Sequence, residues 1–93
     1  MDIKITTGGL DQAFEVIDAI FATDSNKEGF FSGADPGKAF EGVKKQLRSQ
    51  CEELGGQAVV NCQFEYRVAV SDGVFGAKQV MEIFAYGTAV KLN

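Results

Sequence analysis

The chain has 93 residues, of which 45% are hydrophobic and 24% charged, a composition typical of a single folded domain spanning residues 1–93. Its net charge of −4 and scattered Lys and Arg residues argue against nucleic-acid binding, and the absence of histidine removes the commonest general base and zinc ligand. The N-terminus shows no signal-peptide pattern and no stretch is apolar enough for a transmembrane helix, so we expect a cytoplasmic protein without a membrane partner.

The N-terminal part predicts an extended lead-in over residues 1–13, with some strand residues at Ile3 to Thr6, followed by a first strand from Phe14 to Ala22. This strand is apolar on both faces, although its periodicity does not exclude a short helix. Residues 23–34 predict a loop because they are rich in Asp, Ser, Asn and Gly, and they include Phe30 and Phe31.

Asp35 and Pro36 predict a helix start, and the helix is expected to run to about Leu54. Spacings of three and four residues predict one apolar stripe, formed by Phe40, Val43, Leu47, Cys51 and Leu54. The Gly55-Gly56 pair predicts the helix end, since glycine tolerates the left-handed backbone of a C-terminal cap.

The strongest pattern in the chain is an alternation of apolar and polar residues from Ala58 to Val70, which predicts a second strand with one buried face. The face expected to pack on the helix stripe carries Ala58, Val60, Cys62, Phe64, Tyr66, Val68 and Val70. The other face carries Val59, Asn61, Gln63, Glu65 and Arg67. A turn beginning at residues 71–73 then predicts a hairpin to a third strand, from about Ala77 to Leu92, that is apolar on both faces.

This order predicts an α+β fold of β-α-β-β type, a two-layer sandwich with a three-stranded antiparallel sheet and one helix packed on one face. One helix covers only one face of such a sheet, whereas the first and third strands are apolar on both. We therefore expect a homo-oligomer in which sheets of neighbouring copies cover each other. Phe30, Phe31, Phe84 and Tyr86 are the residues predicted for that interface.

Two short motifs carry a family resemblance. After the helix the chain reads LGGQAVVN over residues 54–61, and the last strand closes as YGTAVKL over residues 86–92. These resemble the YbjQ-like family, small bacterial and archaeal proteins carried as candidate heavy-metal-binding domains, whose patterns are Leu-Gly-Ala-(Asn/Asp)-Ala-Val-Val-Gly and Gly-Thr-Ala-Val-Lys. Gly56, Gln57 and Asn61 depart from the first pattern. The resemblance implies a dodecin-subunit-like arrangement and a ring-like pentamer with the sheets toward its centre.

Cys51 and Cys62 are the candidate soft-metal ligands, because thiolates suit soft metals. Both fall on apolar faces, where a free cysteine usually packs as a small hydrophobe, and this alternative is favoured. We expect no complete zinc site within one subunit, although a metal site shared between subunits is an alternative. A disulfide between Cys51 and Cys62 is not expected.

Asn61, Gln63, Glu65, Arg67 and Glu82 are the candidate ligand-binding residues, as a polar lining between subunits. The alternative interpretation, a cross-strand salt bridge on a solvent-exposed face, is favoured over ligand binding. We expect a non-enzymatic homo-oligomer that binds a soft metal, metalloid or other small ligand at subunit interfaces. An interaction module acting through Phe30 and Phe31 is the alternative, and an enzyme using Glu65 with Glu82 comes third. No cofactor can be identified.

Overall fold

The computed structural model describes residues 2–27, 36–73 and 76–93, and these form one helix and four strands. The elements are β1 (Lys4–Ile5), β2 (Phe14–Lys27), α1 (Pro36–Glu53), β3 (Ala58–Gly73) and β4 (Gly76–Leu92). The sheet order is β1-β3-β4-β2, in which β4 is antiparallel to both of its neighbours and β1 is parallel to β3.

The predicted three-stranded antiparallel sheet is therefore wrong, because the sheet is four-stranded and mixed. Lys4 and Ile5, at the start of the lead-in, pair with Ala58 and Val59. The fold is α+β with one helix. The sequence predicts a loop from residue 23, but strand β2 continues through residues 23–27. It does so because β4 is long enough to pair with it as far as Val80. Phe30 and Phe31 lie outside the described residues.

Helix α1 ends as the glycine pair predicts. The Gly55 amide donates to the Glu52 carbonyl at 3.0 Å, and the Gly56 amide donates to the Cys51 carbonyl at 2.8 Å. Gly55 has a φ of 79°, the left-handed conformation that this double hydrogen bond requires. No helix in the described ranges is both long and apolar enough to cross a bilayer.

One face of the sheet packs against α1, and the two form the helix-side core. Val43, Leu47 and Cys51 from the helix stripe are fully buried, whereas Phe40 is partly exposed and stacks on Phe64 with ring centroids 5.0 Å apart. The helix-side core consists of Ile3, Ile20, Ala22, Ala39, Val43, Leu47, Cys51, Val59, Cys62, Ile83, Ala85 and Ala89.

A β-bulge interrupts the alternation of β3. Val60 pairs with Thr88 and Gln63 with Tyr86, so that Asn61 and Cys62 together lie opposite the single residue between those partners. Asn61 has a φ of 52°, a left-handed conformation that Asn adopts more readily than most residues.

The bulge changes which residues share a face. Val59 joins Cys62 in the helix-side core, while Ala58 and Val60 pack with Val90 on the opposite face, which we call the outer face. The uninterrupted alternation predicted from Ala58 onward is therefore wrong across the bulge, because the extra residue reverses the direction of every side chain before it.

The lead-in covers one end of the outer face. Thr6 donates to the Val59 carbonyl at 2.9 Å and accepts from the Cys62 amide at 2.9 Å, and the Asn61 amide donates to the Gly8 carbonyl at 2.9 Å. The chain then turns, and Leu10 packs against the outer-face cluster of Ala58, Val60 and Val90. Part of the second apolar face is thus covered within the chain itself.

Candidate functional site

The rest of the outer face carries most of the predicted ligand-binding residues. The register sets them in cross-strand rows: Phe21, Tyr86 and Gln63 form one row, then Thr23, Phe84 and Glu65, then residue 25, Glu82 and Arg67. Side chains within a row are immediate neighbours. We call this surface the open face and define it as Phe21, Gln63, Glu65, Arg67, Glu82, Phe84 and Tyr86.

Arg67 organises the polar half of the open face. Its Nε lies 2.9 Å from Oε2 of Glu82, and its guanidinium lies over the Phe84 ring at 5.8 Å from the centroid. This ion pair is the cross-strand salt bridge of the alternative reading. Its partners are solvent-accessible, so its contribution to stability is at most about 1 kcal/mol. Glu65 is exposed and has no hydrogen bond or ion pair among the described residues.

The structure separates Asn61 from the other candidate residues. Asn61 lies in the bulge, next to the lead-in, whereas Gln63, Glu65, Arg67 and Glu82 continue along the open face with Phe84 and Tyr86. Their role in binding stays a prediction.

Phe21 belongs to this surface but was not among the predicted site residues. It is 56% exposed and lies directly opposite Tyr86, which is 46% exposed. The signal was present in the two apolar faces of the first strand, since one face packs on the helix and the other faces outward. Only the register of β2 on β4 brings Phe21 beside Tyr86.

Both cysteines are free thiols, fully buried in the helix-side core. The Cys51 thiol donates to the Ala58 carbonyl at 3.4 Å. Burial raises the pKa of Cys51, an effect that hydrogen bonds to Ala58 and Val90 partly offset. Burial also raises the pKa of Cys62. Packing around them is tight: a Cβ added at Gly56 would lie 2.6 Å from the Cys51 sulfur.

These thiols do not fit a metal site within one chain. A soft metal binds the thiolate, and an apolar core disfavours that charged form. Across residues 2–27, 36–73 and 76–93 there is also no group of three or more His, Cys, Asp or Glu side chains arranged to hold a metal ion. Metal binding through Cys51 and Cys62 stays a prediction that would require the core to open.

Comparison with known proteins gives a family and a fold. Residues 37–93, from α1 to the end of β4, match the model of the YbjQ family, described as "Putative heavy-metal-binding". The fold is similar to the crystal structure of a DUF74-family protein of unknown function from Pediococcus pentosaceus, with a TM-score of 0.79, 21% sequence identity and coverage of 98% of both chains. Among curated proteins, none matches the sequence.

Proposed function

This chain belongs to the YbjQ-like family, and on that premise we propose that it is a non-enzymatic homo-oligomer that binds a small ligand where copies meet. The copies would pack through the open face. The family resemblance favours a ring of five, with the sheets toward its centre. Binding at a shared face requires no catalytic group and agrees with the lack of histidine in the sequence.

The exposure of Phe21 beside Tyr86 carries this proposal. Two large aromatic side chains in one cross-strand row stay about half exposed, at 56% and 46%, on the face that α1 does not cover. Aromatic residues that protrude together are typical of protein interfaces. Covering such side chains stabilises by about 25 cal/mol for each Å² of apolar area removed from water.

The polar half of the open face would hold the ligand. Gln63 offers an amide, Arg67 a guanidinium paired with Glu82, and Glu65 a carboxylate without a partner among the described residues. Among the described residues of one chain no group of donors is arranged for a metal ion, so a heavy-metal ion that carboxylates accept, such as Zn²⁺, would be shared by Glu65 of more than one copy. A ring brings equivalent residues together around its axis.

Light scattering coupled to size-exclusion chromatography tests the assembly. We expect an oligomer for the wild type and a shift toward monomer for Tyr86→Lys, because the lysine ammonium would be buried at the contact. Tyr66→Lys is the matched control, since Tyr66 is 68% exposed but lies on the opposite face of β3. A wild-type monomer at micromolar concentration, or equal effects of the two variants, would contradict the assembly.

Elemental analysis of the purified oligomer after exposure to Zn²⁺, a heavy-metal ion that both carboxylates and thiolates bind, tests the ligand separately. We expect metal in proportion to subunits for the wild type and for Cys62→Ala, and its loss for Glu65→Gln. An oligomer that carries no metal under any condition would contradict metal binding but not the proposed assembly. Loss of metal in Cys62→Ala alone would assign the site to the core thiols.

A further inference from the structure

The lead-in encloses a cleft that the sequence patterns did not indicate. It has a volume of about 330 Å³ and is lined by Lys4, Thr6, Gly9, Leu10, Asp11 and Gln12. The first two come from β1 and the residue after it, and the others come from the segment that turns back across the outer face. The cleft shares no residue with the open face.

The cleft brings together two opposite charges that do not neutralise each other. Lys4 and Asp11 both line it, yet within the part of the chain that the structure describes neither side chain forms a hydrogen bond or an ion pair. Both side chains are exposed to solvent. A cation and an anion that line one cleft without pairing suit a ligand that carries both signs.

Neutral polar groups complete the lining. The Thr6 hydroxyl oxygen accepts from the Gly8 amide at 3.1 Å, so its hydrogen remains available for donation to a ligand. Gln12 provides an amide that donates and accepts. Leu10 is the one large apolar residue of the lining, and it packs against the outer-face cluster. The lining therefore favours a small polar ligand over an apolar one.

We propose that this cleft binds a free α-amino acid as its zwitterion, with the carboxylate toward Lys4 and the ammonium toward Asp11. Thr6 and Gln12 supply hydrogen bonds to the carboxylate and to a polar side chain. A molecule of this size fits the available volume. Because the cleft is open to water and the ligand has few atoms, the dissociation constant is expected in the millimolar range.

Nuclear magnetic resonance titration of the full-length, isotope-labelled protein tests the proposal, with serine as the probe. We expect saturable shifts of the backbone amides of residues 4–12. Acetate carries only the carboxylate and methylammonium only the ammonium, and each should bind about tenfold more weakly than serine, since each forms one charge-assisted contact instead of two. If acetate binds as tightly as serine, the cleft is a simple anion site and the proposal that it recognises a zwitterion is wrong.

Charge-neutralising variants locate the two contacts. Lys4→Gln and Asp11→Asn should each weaken serine binding by about tenfold. Lys45→Gln and Glu52→Gln, which remove exposed charges on α1, should leave it unchanged. Serine shifts that fail to saturate, or that persist with equal affinity in both cleft variants, would overturn the proposal. Since all four positions are exposed, thermal unfolding should show that every variant folds.

Discussion

At the scale of single residues, Asn61 determines which side chains of β3 share a face. Its left-handed backbone, with a φ of 52°, creates the bulge that places Ala58 and Val60 on the outer face and Cys62 in the helix-side core. The YbjQ-like pattern has glycine at this position, and glycine and asparagine are the residues that tolerate this conformation best. The departure from the pattern at Asn61 thus conserves the backbone geometry.

We predict that the stability of Asn61 variants depends on how well the new residue tolerates a positive φ. Asn61→Gly should change the free energy of unfolding by less than about 0.5 kcal/mol, whereas Asn61→Val should lower it by about 1–3 kcal/mol. Urea unfolding measures both. Gln63→Val is the control, because Gln63 is exposed on the same strand without a positive φ. Equal losses for the two valine variants would contradict the role of the bulge.

The buried cysteines predict a dependence of stability on pH. Burial raises the pKa of both thiols above the ordinary value of 9.0, so at high pH the folded state keeps protons that the unfolded chain releases. Their contribution to stability is complete below the unfolded-state pKa and is lost as the pH rises through the folded-state pKa.

Urea unfolding of the wild type and of the double variant Cys51→Ala/Cys62→Ala measures this contribution. The variant should be less stable near neutral pH because it loses packing in the core. The stability difference between the two proteins should shrink as the pH rises past 9.0. A constant difference would show that the thiols titrate alike in the folded and unfolded states, and a growing difference would show that folding lowers their pKa; either result would contradict the prediction.

At the scale of elements, α1 protects the edge of the sheet as well as covering its face. Strand β2 is outermost in the sheet, and two helix side chains bond to its backbone. Gln50 donates to the Phe21 carbonyl at 2.7 Å and accepts from the Phe21 amide at 3.3 Å, while Gln46 donates to the Thr23 carbonyl at 2.8 Å. These glutamines occupy backbone groups that could otherwise pair with another strand.

We predict that Gln50→Ala lowers the free energy of unfolding by about 1–2 kcal/mol and Gln46→Ala by about 0.5–1 kcal/mol, because the first removes two hydrogen bonds and the second removes one. Amide hydrogen exchange should quicken at Phe21 in Gln50→Ala and stay unchanged there in Gln46→Ala. Unchanged exchange at Phe21 in both variants would show that the Gln50 contact does not protect this edge.

Elements differ in how far the sequence could predict them. The start, stripe and cap of α1 are local signals within a few residues of one another. The structure follows them except at Leu54, which lies just after the helix and is exposed. Strand β1 has two residues, and its partner β3 lies on the far side of the helix in sequence. The sequence predicts strand residues at Ile3 to Thr6, but no local pattern indicates that they pair in parallel with β3.

The candidate site was likewise only partly predictable from local sequence patterns. Alternation along β3 placed Gln63, Glu65 and Arg67 on one face, because beyond the bulge the period of two is unbroken. The positions of Phe21 and Glu82 beside them depend on the registers of β2 and β3 on β4. Register is set by tertiary contacts, and single-strand patterns do not contain it.

At the scale of the whole molecule, the sheet extends beyond what the other described residues cover. The dimensions of 54 × 20 × 19 Å are elongated for 93 residues. Among the described residues, no strand borders β3 on its β1 side beyond the bulge, and Tyr66 and Val68 remain exposed there. The open face, with Phe21 and Tyr86 about half exposed, supports the proposed association between copies.

The pairing of β1 with β3 also sets an order of events during synthesis. Strands β3 and β4 follow one another in the sequence and are in register as far as Gly73 and Gly76, so they can pair as soon as both exist. Strand β1 leaves the ribosome before the other strands of this sheet, yet it must wait for Ala58 and Val59, which follow the helix. It is thus made well before the strand on which it docks, and the cleft around Lys4 and Asp11 forms only when that part of the sheet is in place.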